Sequence, residues 1–221
     1  MKEAYFSLES IVDKSQEICQ KLEKHFPRRT KRFDIQRSAL LVLDMQAYFL
    51  DASSHAFIPS APAILPGLQT LVGLYMARRL PLIFTRHLNT PEDAGSMGTW
   101  WKDLILPGNP LSEIIPTLDL SGSVVVPKSQ YDAFYKTSLE DRLRSRDVSQ
   151  VLICGVMTHL CCETTARSAF MRGFEVFFTI DGTATYNEDH HWATLFNLSH
   201  GFATPILVGE VIAAFEESSA D

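Results

Sequence analysis

A parallel α/β fold, with one central sheet covered by helices on both faces, is predicted by three features of this 221-residue chain. Six short runs are apolar throughout instead of alternating, the pattern of strands buried on both faces. Helical stretches separate them, as crossovers between parallel strands require. The length supports one sizeable core and not two comfortable domains.

The elements follow in order. Residues 3–26 place Tyr5, Leu8, Ile11, Val12, Ile18, Leu22 and Phe26 on one face at helical spacing, and Pro27 ends the run. Residues 1–34 therefore read as an amphipathic helix with its connector, ahead of a main domain at 35–221. The short basic cluster Arg28, Arg29, Lys31 and Arg32 reads as solvated connector. From residue 39 the pattern changes. "ALLVLD" (39–44), "PLIFTR" (81–86), "SVVVPK" (123–128), "QVLICG" (150–155), "EVFFTID" (175–181) and "PILVG" (205–209) are the strand runs. Helices are expected near 61–79, 137–146, 162–172 and 188–200, and Thr137 with Glu140 forms a capping box for the second of these. Residues 88–122, rich in Gly, Pro and Trp, lack periodicity. A loop that long in a compact domain is usually functional or disordered.

Composition excludes several function classes. A net charge of -6 and a pI near 5.6 argue against nucleic acid or an anionic membrane as partner. No apolar run approaches the roughly 20 residues of a membrane span. The first thirty residues carry charges throughout and lack a signal-peptide core. Four cysteines (Cys19, Cys154, Cys161, Cys162) at irregular spacing form neither a disulfide framework nor a zinc site. A reducing cytoplasm is the expected compartment.

In a parallel sheet the ligand sits outside the carboxyl ends of the strands. Asp44 closes the first run, Lys128 closes the third, and Cys161 lies just past the fourth. A carboxylate after five apolar residues is costly unless it is paired or used. Cys161 falls where "ICGVMTHLCCETTARSAF" turns from strand to helix, and a helix start favours thiolate and offers N–H groups to an oxyanion. Its thiol is expected to ionise below the free value of about 8.5. Cys162, about 100° further round the helix, reads as core. A base, a cation and a thiol at one edge are what thiol activation needs.

"ALLVLDMQAYF", "VVPKSQYDAF" and "ICGVMTHLCCETTARSA" together resemble the isochorismatase-like hydrolases, the cysteine hydrolases, over roughly residues 35–212. The resemblance implies a three-layer α/β/α sandwich around a six-stranded parallel sheet. It also implies a catalytic triad of Asp44, Lys128 and Cys161. With these come a cis peptide between Val156 and Met157, and an oxyanion hole from the backbone N–H groups of Met157 and Cys161. Two chemistries divide that family. Isochorismatases cleave a vinyl ether through the Asp without a covalent intermediate, and His159, "YDAF" and "EDHHWATLFNLSHG" lean that way. Amidohydrolases keep the cysteine and form a thioester, and Cys161 favours them. A catalytically inactive, binding or oligomer-forming member is the third reading, against which the intact trio stands.

Nicotinamidases of the family hold a metal through an Asp-x-His and a further His. Thr85-Arg86-His87 retains only the His, so neither metal nor other cofactor is expected. The partner is a small-molecule substrate. Its pocket is expected to draw on Gln46, Phe49, His87, Trp100, Trp101, Tyr131, Phe134 and His159, with walls from 88–105 and 183–190. The apolar stripe of the first helix must be covered by something. A homo-oligomer, dimer or tetramer, is expected, with that helix and the Trp100–Trp101 loop as candidate contacts.

Overall fold

In the computed structural model, which describes residues 1–27 and 32–218, six parallel strands form one sheet. They are β1 (Ser38–Leu43), β2 (Leu82–His87), β3 (Val124–Lys128), β4 (Gln150–Val156), β5 (Glu175–Ala184) and β6 (Thr204–Ile206), in the order β3-β2-β1-β4-β5-β6. The helices are α1 (Ile11–His25), α2 (Ala47–Leu50), α3 (Ala61–Ala77), α4 (Met97–Trp100), α5 (Leu139–Arg144), α6 (Glu163–Met171), α7 (Glu188–Gly201) and α8 (Val208–Glu217). Every residue of β1 and β4 is buried, because these two strands hold the centre of the sheet and are covered on both faces. One cover is α3 with α8; the other is α6 and α7 with α1 packed on them and on β5. Pro127 lies in β3, an edge strand, where a residue without N–H leaves no ladder bond unmade.

The expected helix over 3–26 is shorter than its apolar stripe suggests. Ser7 and Ser10 exchange backbone-to-hydroxyl bonds of 3.1 and 3.3 Å, closing a turn just before Ile11. Residues ahead of that turn run as a strap over the domain. Glu3 N–H donates to Tyr186 O at 2.8 Å, Phe6 N–H to Ser60 Oγ at 3.1 Å, and Thr185 N–H to Tyr5 Oη at 3.0 Å. Tyr5, Phe6, Ile18, Cys19 and Leu22 are buried in the common core, while Leu8 and Val12 stay exposed. The stripe is thus largely covered within the chain. Of the basic cluster, Arg28, Arg29 and Lys31 lie outside the described residues.

Two further expectations need correction. Thr137 makes no capping box with Glu140: its hydroxyl donates to Ala133 O at 2.6 Å, and α5 starts after Ser138. The run at 205–209 is strand only to Ile206, because Leu207 N–H donates to the Glu210 carboxylate at 2.9 Å and opens α8. No described helix is long and apolar enough to cross a membrane.

Candidate active site

The strand order reverses between β1 and β4, and in such sheets the crevice above that reversal receives the ligand. Asp44 follows β1 directly, in the left-handed region with φ 50°. Met157 follows β4 across a cis peptide bond from Val156, and a single π-type turn, Thr158–Cys162, carries Cys161. Lys128 and His87 are the last residues of β3 and β2 and pair with each other in register. Gly155 makes the junction fit. It has φ 111°, and a Cβ there would stand 2.1 Å from Leu43 O. Any side chain would force β4 away from β1 just below the site.

The trio converges in a dry environment. Lys128 Nζ lies 2.7 Å from Asp44 Oδ2, with both side chains fully buried. It also donates to Cys161 Sγ at 3.3 Å and to Gln130 O at 3.0 Å, and reaches His87 Nδ1 at 3.2 Å. The other carboxylate oxygen, Oδ1, accepts from Thr85 Oγ1 at 2.6 Å, and Asp44 N–H donates back to that hydroxyl at 3.1 Å. Thr85 therefore fixes the carboxylate plane, a role the sequence did not suggest.

The charges follow from these contacts. Burial raises the Asp44 carboxyl, but the Lys128 charge, His87 and the hydrogen bonds of Lys128 and Cys161 together outweigh it, and the group sits below the usual carboxylate range. Burial lowers Lys128, and Asp44 and Cys161 together more than compensate, so the ammonium is held above its ordinary value. Cys161 goes the other way from expectation. Burial, joined by the Asp44 charge, pushes its thiol up to about 12 against the pull of Lys128. The protein packed around the sulfur thus works against the helix-start effect. The sulfur sits 3.3 Å from the Lys128 ammonium and within 4.8 Å of the Asp44 carboxylate. Cys162 is fully buried, its thiol raised further still.

A cavity of about 200 Å³ opens above the sulfur. Its floor includes His87, Met157 and Cys161, and Tyr48, Phe49, Trp101, Tyr131 and Tyr186 give aromatic walls. At the mouth, Tyr48 donates a short hydrogen bond to Asp103, and His55 Nε2 lies 2.9 Å from both. Trp101 Nε1 donates to Tyr131 Oη at 2.7 Å and ties the long loop to the segment after β3. A groove of about 540 Å³ at the amino ends of β2 and β3 is larger, but no thiol, carboxylate or imidazole lines it.

Of the residues expected in the pocket, Phe49, His87, Trp101 and Tyr131 line it. Gln46 does not: it is a buried clamp, accepting from His87 N–H at 2.8 Å and donating to Ser112 O at 2.7 Å to hold the base of the long loop. Trp100 faces solvent with 77% exposure. Phe134 stacks on Phe174 in the core, and His159 bonds Thr185 Oγ1 at 2.6 Å while stacking on His190. Neither lines the cavity. Asp103 and Tyr186 come from the expected wall segments 88–105 and 183–190, whereas Tyr48 in α2 and His55 in the loop after it gave no signal in the sequence.

Asp44, His87 and Cys161 have donor atoms within 4.8 Å of one another, the spacing that a metal ion would want. The Lys128 ammonium contacts all three, so a cation is already built into that cage. Thr85, two residues before His87, offers only a hydroxyl, and Asp44 engages it. This donor set does not fit a metal.

The sequence and the fold were compared with those of known proteins. Residues 38–210 match the family model described as Isochorismatase domain. Nicotinamidase 3 of Arabidopsis thaliana is 44% identical over 173 residues, covering 75% of this chain and 82% of that protein. Isochorismatase of Bacillus subtilis is 26% identical, covering 85% of this chain and 61% of that protein. The crystal structure of a cysteine hydrolase from Pseudomonas syringae pv. phaseolicola superposes with a TM-score of 0.82 at 27% identity, covering 86% of this chain and 98% of that one.

Proposed function

Since this chain belongs to the isochorismatase family of hydrolases, we propose that it hydrolyses a small planar carboxamide through a thioester on Cys161. One observation carries the reading. Lys128 Nζ bridges Asp44 Oδ2 at 2.7 Å and Cys161 Sγ at 3.3 Å beneath a cavity that exposes the sulfur. Isochorismatase-type ether cleavage would use Asp44 alone and leave that thiol without a task.

The steps follow from the parts. Asp44 takes the thiol proton, and the Lys128 charge stabilises the thiolate formed. Sulfur attacks the carboxamide carbon, a C–S bond forms, and the carbonyl electrons move to oxygen. The backbone N–H groups of Met157 and Cys161, both at the cavity floor, receive that oxyanion. Collapse breaks the C–N bond, and Asp44 returns its proton to the departing ammonia or amine. Asp44 then removes a proton from water, which attacks the thioester, releasing acid and thiol.

Size and walls restrict the substrate. The 200 Å³ cavity is below the roughly 300–1,000 Å³ of pockets that take drug-sized ligands. Aromatic walls favour a flat ring, and the similarity to Nicotinamidase 3 makes nicotinamide the first compound to assay. Ammonia release from nicotinamide and a set of small aromatic and aliphatic amides tests the activity. Acid quenching during turnover, followed by mass spectrometry, should find the acyl group on the peptide carrying Cys161. Turnover of isochorismate with no ammonia from any amide would overturn the proposal. Assembly belongs to the same reading: the exposed Trp100 supports a homo-oligomer contact there, and light scattering of the wild type and Trp100→Ala tests it.

A further inference from the structure

Lys128 has four neighbours for three N–H bonds: Asp44 Oδ2, Gln130 O, His87 Nδ1 and Cys161 Sγ. The steps above use the first and the last. His87 is left over, a buried imidazole beside an ammonium that no step consumes.

Its protonation follows from its partners. Asn89 Nδ2 donates to Ser129 O at 2.8 Å, which fixes the amide's orientation. Asn89 Oδ1 is then the atom facing His87 Nε2 at 2.8 Å. An amide oxygen only accepts, so Nε2 carries the hydrogen; an ammonium only donates, so Nδ1 carries a lone pair. Both ends of the ring demand the same neutral tautomer. The imidazolium would set an N–H against the Lys128 ammonium at 3.2 Å. Burial and the Lys128 charge push His87 down to about 4, in agreement with this geometry.

We propose that His87, locked by Asn89 as its Nε2–H tautomer, is a positioning residue that holds the Lys128 ammonium between Asp44 and Cys161. This rests on the assignment of Cys161 as nucleophile. A neutral acceptor suits the place. It directs one N–H of Lys128 without drawing on the charge that the thiolate needs, whereas a carboxylate would compete for it. The charged and titratable groups facing the ring are Lys128 from β3, Asp44 after β1, Cys161 from the π-type turn and Asp93 of the long loop.

Three variants of the full chain test this. His87→Asn keeps an acceptor oxygen where Nδ1 stands, His87→Leu removes it, and Asn89→Asp gives Nε2 a carboxylate that stabilises the imidazolium. Two readouts are taken against pH: ammonia release, separated into kcat and KM, and alkylation of Cys161 by iodoacetamide, followed by mass spectrometry. The Leu variant should lose about 100-fold in kcat with KM nearly unchanged, and the Asn variant should stay within about tenfold of the parent. Asn89→Asp should gain an acid limb absent from the parent, with kcat and alkylation rate both recovering as pH rises. Equal losses in His87→Asn and His87→Leu, a loss confined to KM, or an Asn89→Asp profile parallel to the parent's would overturn the proposal. Should His87→Leu fail to fold, the near-isosteric Asn89→Asp decides alone. If the parent releases no ammonia from any amide, the amidase reading fails, while the alkylation profiles still decide the role of His87.

Discussion

The floor and the rim of the cavity are built from the same kinds of residue under opposite conditions. On the floor, Asp44 and Lys128 pair with both side chains at 0% exposure, on backbone fixed by the central strands. At the rim, His55 and Asp103 pair from two loops with side chains 39% and 50% exposed. Water competes for every rim contact and for none on the floor. A lost floor partner therefore leaves a charge stranded in low dielectric, whereas a lost rim partner is replaced by solvent. On the proposed amide hydrolysis, the difference puts chemistry in one region and substrate selection in the other.

The sharpest way to break that division is Cys161→Ala. It should lower turnover by at least about 10⁴-fold with thermal unfolding little changed, since Ala fits where a small thiol does. Cys162→Ala, one residue away but fully buried in the core, should retain activity within a few-fold. Similar losses in ammonia release from both would end the assignment. Next comes Lys128→Met, which leaves Asp44 buried without its cation. A stability loss of about 3–5 kcal/mol is expected by chemical denaturation, or a matching upward shift of the Asp44 carboxyl.

The pH dependence of stability sharpens the comparison further, because only the buried groups set its limits. Folded His87 and His191 are held at about 4 and about 3, below the ordinary 6.5, so the unfolded chain takes up their protons first. Stability should fall as pH drops below about 6.5. The Cys161 thiol is held near 12 against an ordinary 9.0, so the unfolded chain loses that proton first and stability should fall above about 9. The Asp44–Lys128 pair contributes throughout that window: it is lost only as pH falls below the lowered carboxyl or rises through the raised ammonium. Denaturation midpoints should form a plateau between these limits, and Cys161→Ala should make the alkaline side shallower without removing it, because the buried Cys154 and Cys162 thiols are raised too. The smallest effect belongs to the rim. Asp103→Asn should cost under about 1 kcal/mol, raise KM no more than about fivefold and leave both limbs in place. A large fall in kcat there would show that the rim takes part in the chemistry.

The same division explains what the sequence made legible. Asp44, Lys128 and Cys161 stood out because each interrupts or closes an apolar run, and parallel topology sends all the run ends to one edge. All six strands were readable for the same reason. Gln46, Phe134 and His159 lie beside those motifs and Trp100 in the long aperiodic loop, but position along the chain does not decide which way a side chain turns. Tyr48, His55, Asp103 and Tyr186 meet only through the path of irregular loops, which no periodicity encodes. The raised Cys161 thiol was hidden because a helix start is visible in a sequence and burial of the sulfur is not. α8 could have been found: Val208, Val211, Ile212 and Phe215 repeat at helical spacing.

The strap ahead of α1 has a consequence for the timing of biosynthesis. Thr185 N–H donates to Tyr5 Oη, Glu188 N–H donates to Glu3 at 2.7 Å, and Lys14 pairs with Glu188 at 2.6 Å. Each contact joins the beginning of the chain to residues nearly the whole length away. At about 5–20 residues per second, the opening segment waits on the order of ten seconds or more for its partners to be made. Closing so large a loop comes after the local pairings. The strap leaves the ribosome well ahead of its partners and finds its seat only after them, and the wall around Tyr186 is finished only then.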